Sequence, residues 1–152
     1  MSQATIAQIQ SLTREQLPFA LAYGFRLEAL DSGTATVRAP YSNEFLRPGG
    51  TISGPVMMGL ADYALYAAVL SCIGIVELAV TTNLNINFLH RPEPGDLLAY
   101  ARIIKLGKRL AVGEVEMFVE GEEELVAHVT ATYSIPPGSV VSPISKPHRT
   151  ER

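Results

Sequence analysis

Residues 49–75 of this 152-residue chain carry one charged side chain, Asp62, in an otherwise largely apolar run. Pro55 suits the first helical position, where a missing N–H costs nothing, and Gly54 ahead of it reads as the N-cap. Gly74 is a natural C-terminal stop. Between them, Gly59, Ala61, Ala64, Ala67 and Ala68 are small enough to let a helix pack closely on a sheet. Apolar residues occur on every face, so the expected helix is buried. A carboxylate there is costly unless it is paired, neutralised or turned to a cavity. Asp62 therefore either bridges a structural contact or does chemistry. A membrane span needs roughly 20 apolar residues, and this run is long enough. The central Asp argues against it, as do the Gly and Pro that bound the helix.

At this length one domain with a good core is expected. Hydrophobic residues make up 47% and charged residues 18%, which favours a packed chain over a disordered one. The net charge is -3 and no basic cluster occurs, so nucleic acid is a poor candidate partner. Cys72 is the only cysteine. It allows no internal disulfide and suits a reducing cytoplasm. Residues 1–10 lack the basic start and long apolar run of a secretion signal. His90, His128 and His148 are scattered, without the spacing of a metal site. Neither a metal nor a separate cofactor is expected, and no membrane.

Residues 4–16 read as a short amphipathic helix with Ile6, Ile9 and Leu12 on one face. Pro18 ends or bends it. Thr13 and Gln16 have the spacing of a capping box that would open a second turn. Strands are expected at 25–30 and 34–39 around the turn Asp31-Ser32-Gly33, followed by a loop over 41–50. After Gly74 the period changes from helical to alternating. Thr82, Leu84, Ile86 and Phe88 form an apolar face, against Thr81, Asn83, Asn85 and Asn87 on the other. Further strands follow at 97–106, 110–119 and 125–135. In the last, Ala127, Val129, Ala131, Tyr133 and Ile135 point inward, and Val126 and His128 outward. The expected division is a helical segment over 1–20, one domain over 21–137 and a loose tail over 138–152. Consecutive strands joined by short turns mean an antiparallel sheet, and a helix this apolar must be wrapped by it.

Four stretches in order carry a resemblance. They are Ser53-Gly54-Pro55 to Leu60-Ala61-Asp62, Thr82-Asn83-Leu84-Asn85-Ile86-Asn87-Phe88, Pro94-Gly95-Asp96-Leu97, and Gly107-Lys108-Arg109-Leu110-Ala111. Together they resemble hotdog-fold acyl-CoA thioesterases of the phenylacetate-pathway, PaaI-like type, over residues 25–135. The resemblance implies an α+β hotdog fold, a long central helix wrapped by a curved antiparallel sheet, assembled as a homodimer or homotetramer. It also implies a site between subunits, with coenzyme A entering as part of the substrate. Asp62 falls on the catalytic carboxylate, acting as general base on water or as nucleophile. Gly54 falls on the backbone oxyanion donor at the helix start. Thr81 falls on a position that carries a hydroxyl in some relatives.

The chain also departs from the family motif. Ser53 replaces the motif histidine and Pro55 the second glycine. Arg47 falls where relatives often carry an amide. A cation there would favour the ionised carboxylate of Asp62, or bind an anion on the ligand; the alternative is an ordinary exposed loop residue. Asn43 is the nearest substitute amide. Met57, Met58, Tyr63 and Tyr66 are candidate walls of the acyl pocket. Tyr66, one turn after Asp62, either lines that pocket, donates to the carboxylate or is core. Lys108 and Arg109, with His90 and Arg91, are candidate contacts for the phosphates of coenzyme A. The competing function is an acyl-CoA or acyl-carrier-protein binding module without turnover. A hotdog hydratase ranks last, since no histidine closely follows Asp62.

Overall fold

The computed structural model describes residues 1–139. The proposed tail therefore lies mostly outside the described residues. Twelve elements run in chain order: helices α1 (Ile6–Gln16), α2 (Pro18–Ala22) and α3 (Gly54–Ile73), a 3-10 turn at Asn43–Phe45, and strands β1 (Arg26–Asp31), β2 (Thr34–Ala39), β3 (Leu46–Arg47), β4 (Thr51–Ile52), β5 (Val80–Phe88), β6 (Leu97–Leu106), β7 (Leu110–Val119) and β8 (Leu125–Ser134). Six strands form one antiparallel sheet in the order β1-β2-β6-β7-β8-β5, and β3 and β4 make a separate small hairpin. This is the expected hotdog architecture, a long helix against a large antiparallel sheet.

Fifteen of the twenty residues of α3 are buried. Leu60, Leu65 and Leu70 are fully enclosed. By length and apolarity α3 could cross a membrane, but 83% of its most apolar window lies inside the fold. Gly74 ends the helix with φ +83°, a conformation that L side chains rarely adopt.

The helix start differs from expectation. Ser53 is the N-cap, in extended conformation, and Gly54 is the first helical residue. The Ser53 side chain makes no cap hydrogen bond. A cap normally accepts from the second or third N–H, and Pro55 removes the second.

At the N-terminus the capping box forms between Thr5 and Gln8. Thr13 is instead buried in α1. Its hydroxyl lies 2.8 Å from the Ile9 carbonyl and 2.7 Å from the Tyr63 hydroxyl, which ties α1 to α3. Pro18 opens the short helix α2, where its ring fits the first turn.

The strand faces follow the alternation except at four register shifts, two of which overturn an expected face. Val126 is 3% exposed, not outward, because the β7–β8 pairing shifts register between Met117 and Phe118. In β5 the pairing with β8 shifts between Thr81 and Asn83. That bulge reverses the phase at the strand's start. Thr81 thus faces the helix with Leu84 and Ile86, while Thr82 is exposed.

On the outer rim, Arg38 of β2 pairs with Glu28, with Asp96 at 3.0 Å and with Glu120 at 2.7 Å. Asp96 also accepts from the Tyr41 N–H at 2.8 Å. Tyr41 first, and then Arg38, hold the Asp96 carboxyl below its ordinary value against the opposing effect of burial. A lowered folded value stabilises the fold above the unfolded Asp value of about 3.9, and that contribution is lost as pH falls through the folded value. Arg38→Met is therefore expected to lower the melting temperature by about 2–4 °C at pH 7. The gap should narrow as pH drops below about 4. Thermal melts across pH 2–7 check this.

Candidate functional site

Asp62 sits in the third turn of α3, half-buried, with its side chain turned toward β5 and β8. Two hydroxyls hold it. Thr81 Oγ1 donates to Asp62 Oδ1 at 2.5 Å. The Tyr133 hydroxyl lies 2.5 Å from the same oxygen and 2.6 Å from the Asp62 backbone carbonyl. Thr81 and Tyr133 are direct cross-strand partners, so the register of β5 on β8 brings both donors to one point. Among the described residues, none hydrogen-bonds Oδ2, and no buried side-chain oxygen or nitrogen lacks a partner. Oδ2 is therefore not fully enclosed.

A cavity of about 150 Å³ borders Asp62 and is walled by Leu17, Phe19, Tyr63, Tyr66, Thr81 and Tyr133, among others. Tyr66 and Tyr63, the candidate acyl-pocket walls, both border it. The Tyr66 hydroxyl, however, donates to the Glu77 carbonyl at 3.0 Å and not to the carboxylate. Burial first, with the Glu77 charge and Tyr63 adding, pushes the Tyr66 phenol up to about 12. Tyr133 is the donor that sequence reasoning missed. A signal was present, since a tyrosine on a buried strand face otherwise made of Ala, Val and Ile needs a partner for its hydroxyl.

Gly54 lies elsewhere in the same chain. It borders a cavity of about 590 Å³ with Arg47, Met57, Phe88, His90 and Arg91. Among the described residues its N–H makes no hydrogen bond within the chain, as expected for a first helical residue. A Cβ at position 54 would come within 3.1 Å of the Phe88 ring, so glycine lets the end of β5 approach the helix start. Eight residues at 1.5 Å each separate Gly54 from Asp62 by about 12 Å.

The remaining candidates fall into three places. Arg47 and His90 line the Gly54 cavity, with His90 Nε2 at 2.9 Å from Glu124 and Arg91 donating to the Gly49 carbonyl at 2.5 Å. Arg47 shares neither a cavity nor a hydrogen bond with Asp62 in one chain. Lys108 and Arg109 are exposed at the β6–β7 turn and line a third cavity with Leu106, Pro137 and Ser139. Asn43 is exposed in the 3-10 turn, and Ser53 caps α3. Met58 is 41% exposed and borders neither the Asp62 nor the Gly54 cavity, whereas its neighbour Met57 is buried against the latter. Among the described residues no cluster of His, Cys, Asp and Glu is suited to a metal.

The chain matches the thioesterase superfamily over residues 49–126, from the loop before α3 into β8. A solved structure described as a putative thioesterase from a Silicibacter species is 43% identical, with a TM-score of 0.82 over 90% of this chain and 95% of that one. A mutant of the phenylacetic acid degradation protein PaaI from Thermus thermophilus is 28% identical, with a TM-score of 0.69 over 78% of this chain and 99% of that one. A protein named as a putative esterase in Saccharolobus solfataricus is 28% identical over 86% of this chain and 85% of its own length. Residue match, relatives and architecture agree, and the chain belongs to the thioesterase superfamily.

Proposed function

We propose that the protein hydrolyses an acyl-coenzyme A thioester at a site built from two copies of the chain. Asp62 of one copy acts on water as general base, or attacks the thioester carbonyl as nucleophile. The Gly54 N–H of the other copy receives the developing oxyanion. The observation that carries this is Asp62 itself. It is held on a buried helix by two hydroxyls on Oδ1, with Oδ2 not fully enclosed.

The separation of Gly54 and Asp62 supports a composite site. A reacting carbonyl must sit about 3 Å from both nucleophile and oxyanion donor. Two groups about 12 Å apart on one helix cannot meet that condition. The edge strand β5 supports a second copy. It exposes Val80 at 57% and Phe88 at 51%, beside the row Asn83, Asn85 and Asn87. Unpaired edges of this kind invite strand addition.

Arg47, His90 and Arg91 around the larger cavity, and Lys108 and Arg109 at the β6–β7 turn, are suited to the phosphates of coenzyme A. The apolar walls beside Asp62, Tyr63 and Tyr66 among them, suit the acyl group.

Thiol release from a panel of short, long and aromatic acyl-CoA thioesters tests this reading. Turnover of at least one is expected. The replacement of the motif histidine by Ser53 favours a second reading, a binding module. Acyl-CoA binding by calorimetry with no thiol release from any member of the panel would select it.

A further inference from the structure

Among the described residues of one chain, no cation hydrogen-bonds Asp62. The cavity beside it is lined from α3 by Tyr63 and Tyr66, from the following loop by Glu77, from β5 by Thr81 and from β8 by Tyr133. Among the described residues of one chain, neither Lys, Arg nor His lines it. The side-chain hydrogen bonds it accepts are what fixes its orientation there. Both that it accepts from side chains fall on one oxygen, Oδ1.

We infer that Tyr133 is a positioning residue for the reaction: with Thr81 it pins Asp62 Oδ1, so that Oδ2 is the oxygen presented to the water or the thioester carbonyl. This rests on the reading of Asp62 as the reacting carboxylate. Several features of the fold converge on it. Tyr133 is 2% exposed, so its ring is enclosed in the packed core. Its hydroxyl reaches both Oδ1 and the Asp62 carbonyl, which anchors side chain and helix backbone together. The β5 bulge turns Thr81 to the helix side opposite Tyr133. Without that bulge the strand's alternation would point the Thr81 hydroxyl away from Asp62.

The proton needed for this role stays on Tyr133. Burial first, and the adjacent Asp62 charge second, push its phenol well above the ordinary value. The group therefore remains a donor throughout the working pH range. Its single proton is shared between two acceptors on the same residue, which fixes the Asp62 side chain relative to its own helix turn. Replacing Tyr133 thus leaves the reacting group in place but frees its orientation and weakens the hold on its charge.

Tyr133→Phe removes the hydroxyl alone. On the best acyl-CoA of the panel it is expected to lower kcat about 10- to 100-fold while KM changes little. The acidic limb of kcat/KM should move to higher pH, because a donor to the ionised form has been lost. Substitution of Tyr133 by 3-fluorotyrosine, a stronger donor of nearly the same shape, should move that limb to lower pH. The fluorinated protein retains the buried ring and hydroxyl and so serves if Tyr133→Phe fails to fold.

A lowered melting temperature with the parent's kcat and an unmoved pH profile in Tyr133→Phe would overturn the inference, leaving Tyr133 a packing residue. So would a fluorinated protein whose profile superimposes on the parent's. If Asp62→Asn is inactive in the same assays, that failure belongs to Tyr133 alone. If Asp62→Asn turns over like the parent, or the parent turns over nothing, the reading of the site and this inference fall together.

Discussion

Gly113→Val is expected to leave little folded protein, and Gly113→Ala to lower stability by about 1–3 kcal/mol. Gly113 lies in β7, buried, between Ile103 of β6 and Ala131 of β8. A Cβ there would fall 2.4 Å from Leu65 Cδ2, 3.0 Å from the Arg102 carbonyl oxygen and 3.4 Å from Ile103 Cδ1. Leu65 is 0% exposed and cannot swing outward. The backbone oxygen cannot yield without disturbing the β6–β7 ladder. The helix bearing Asp62 must therefore lift from the sheet or Leu65 must leave its rotamer. Either response moves α3 relative to Thr81 and Tyr133, so activity should fall with stability. Thermal melts measure the loss at roughly 2–4 °C per kcal/mol for a chain of this size. A double variant with Leu65→Ala relieves the contact. Leu65→Ala alone should cost about 2–5 kcal/mol as a cavity. The pair should cost less than the sum of the singles, which is the signature of direct contact.

Much of this arrangement is legible in the sequence. The composition of residues 49–75 leads to one buried helix with a lone carboxylate, and Pro55 and Gly74 bracket it. The period-2 segments lead to the strands, and their short turns to an antiparallel sheet. What stays hidden depends on register. Alternation assigns Thr81 to the asparagine face of β5, and only the bulge against β8 brings it to Asp62. Tyr133 is 71 residues from Asp62 in the chain, and no local pattern joins them. The cap at Ser53 is hidden for a different reason: glycine and serine are both good N-caps, and one residue decides the boundary. Arg47 opens, in one chain, onto the cavity of Gly54, so a role beside the carboxylate would have to be played toward Asp62 of another copy, which no pattern within one chain can display.

Asp62→Asn is expected to lower kcat by about 10²–10⁴-fold, the range for loss of a positioned acid or base. A nucleophilic carboxylate would be lost as completely, since an amide neither attacks nor accepts a proton at neutral pH. The fold should survive the change. The Asn side-chain oxygen can still accept from Thr81 and Tyr133, and its nitrogen takes the place of Oδ2, which is not fully enclosed. Loss of activity is then separable from loss of structure. The direct test is thiol release from the best acyl-CoA of the panel, measured for the parent and Asp62→Asn side by side, with melting temperature and oligomeric state recorded for both. Parent turnover that drops at least about 100-fold in the variant, with melting and assembly unchanged, is the predicted result. Equal turnover in the two proteins would contradict Asp62 as the reacting carboxylate.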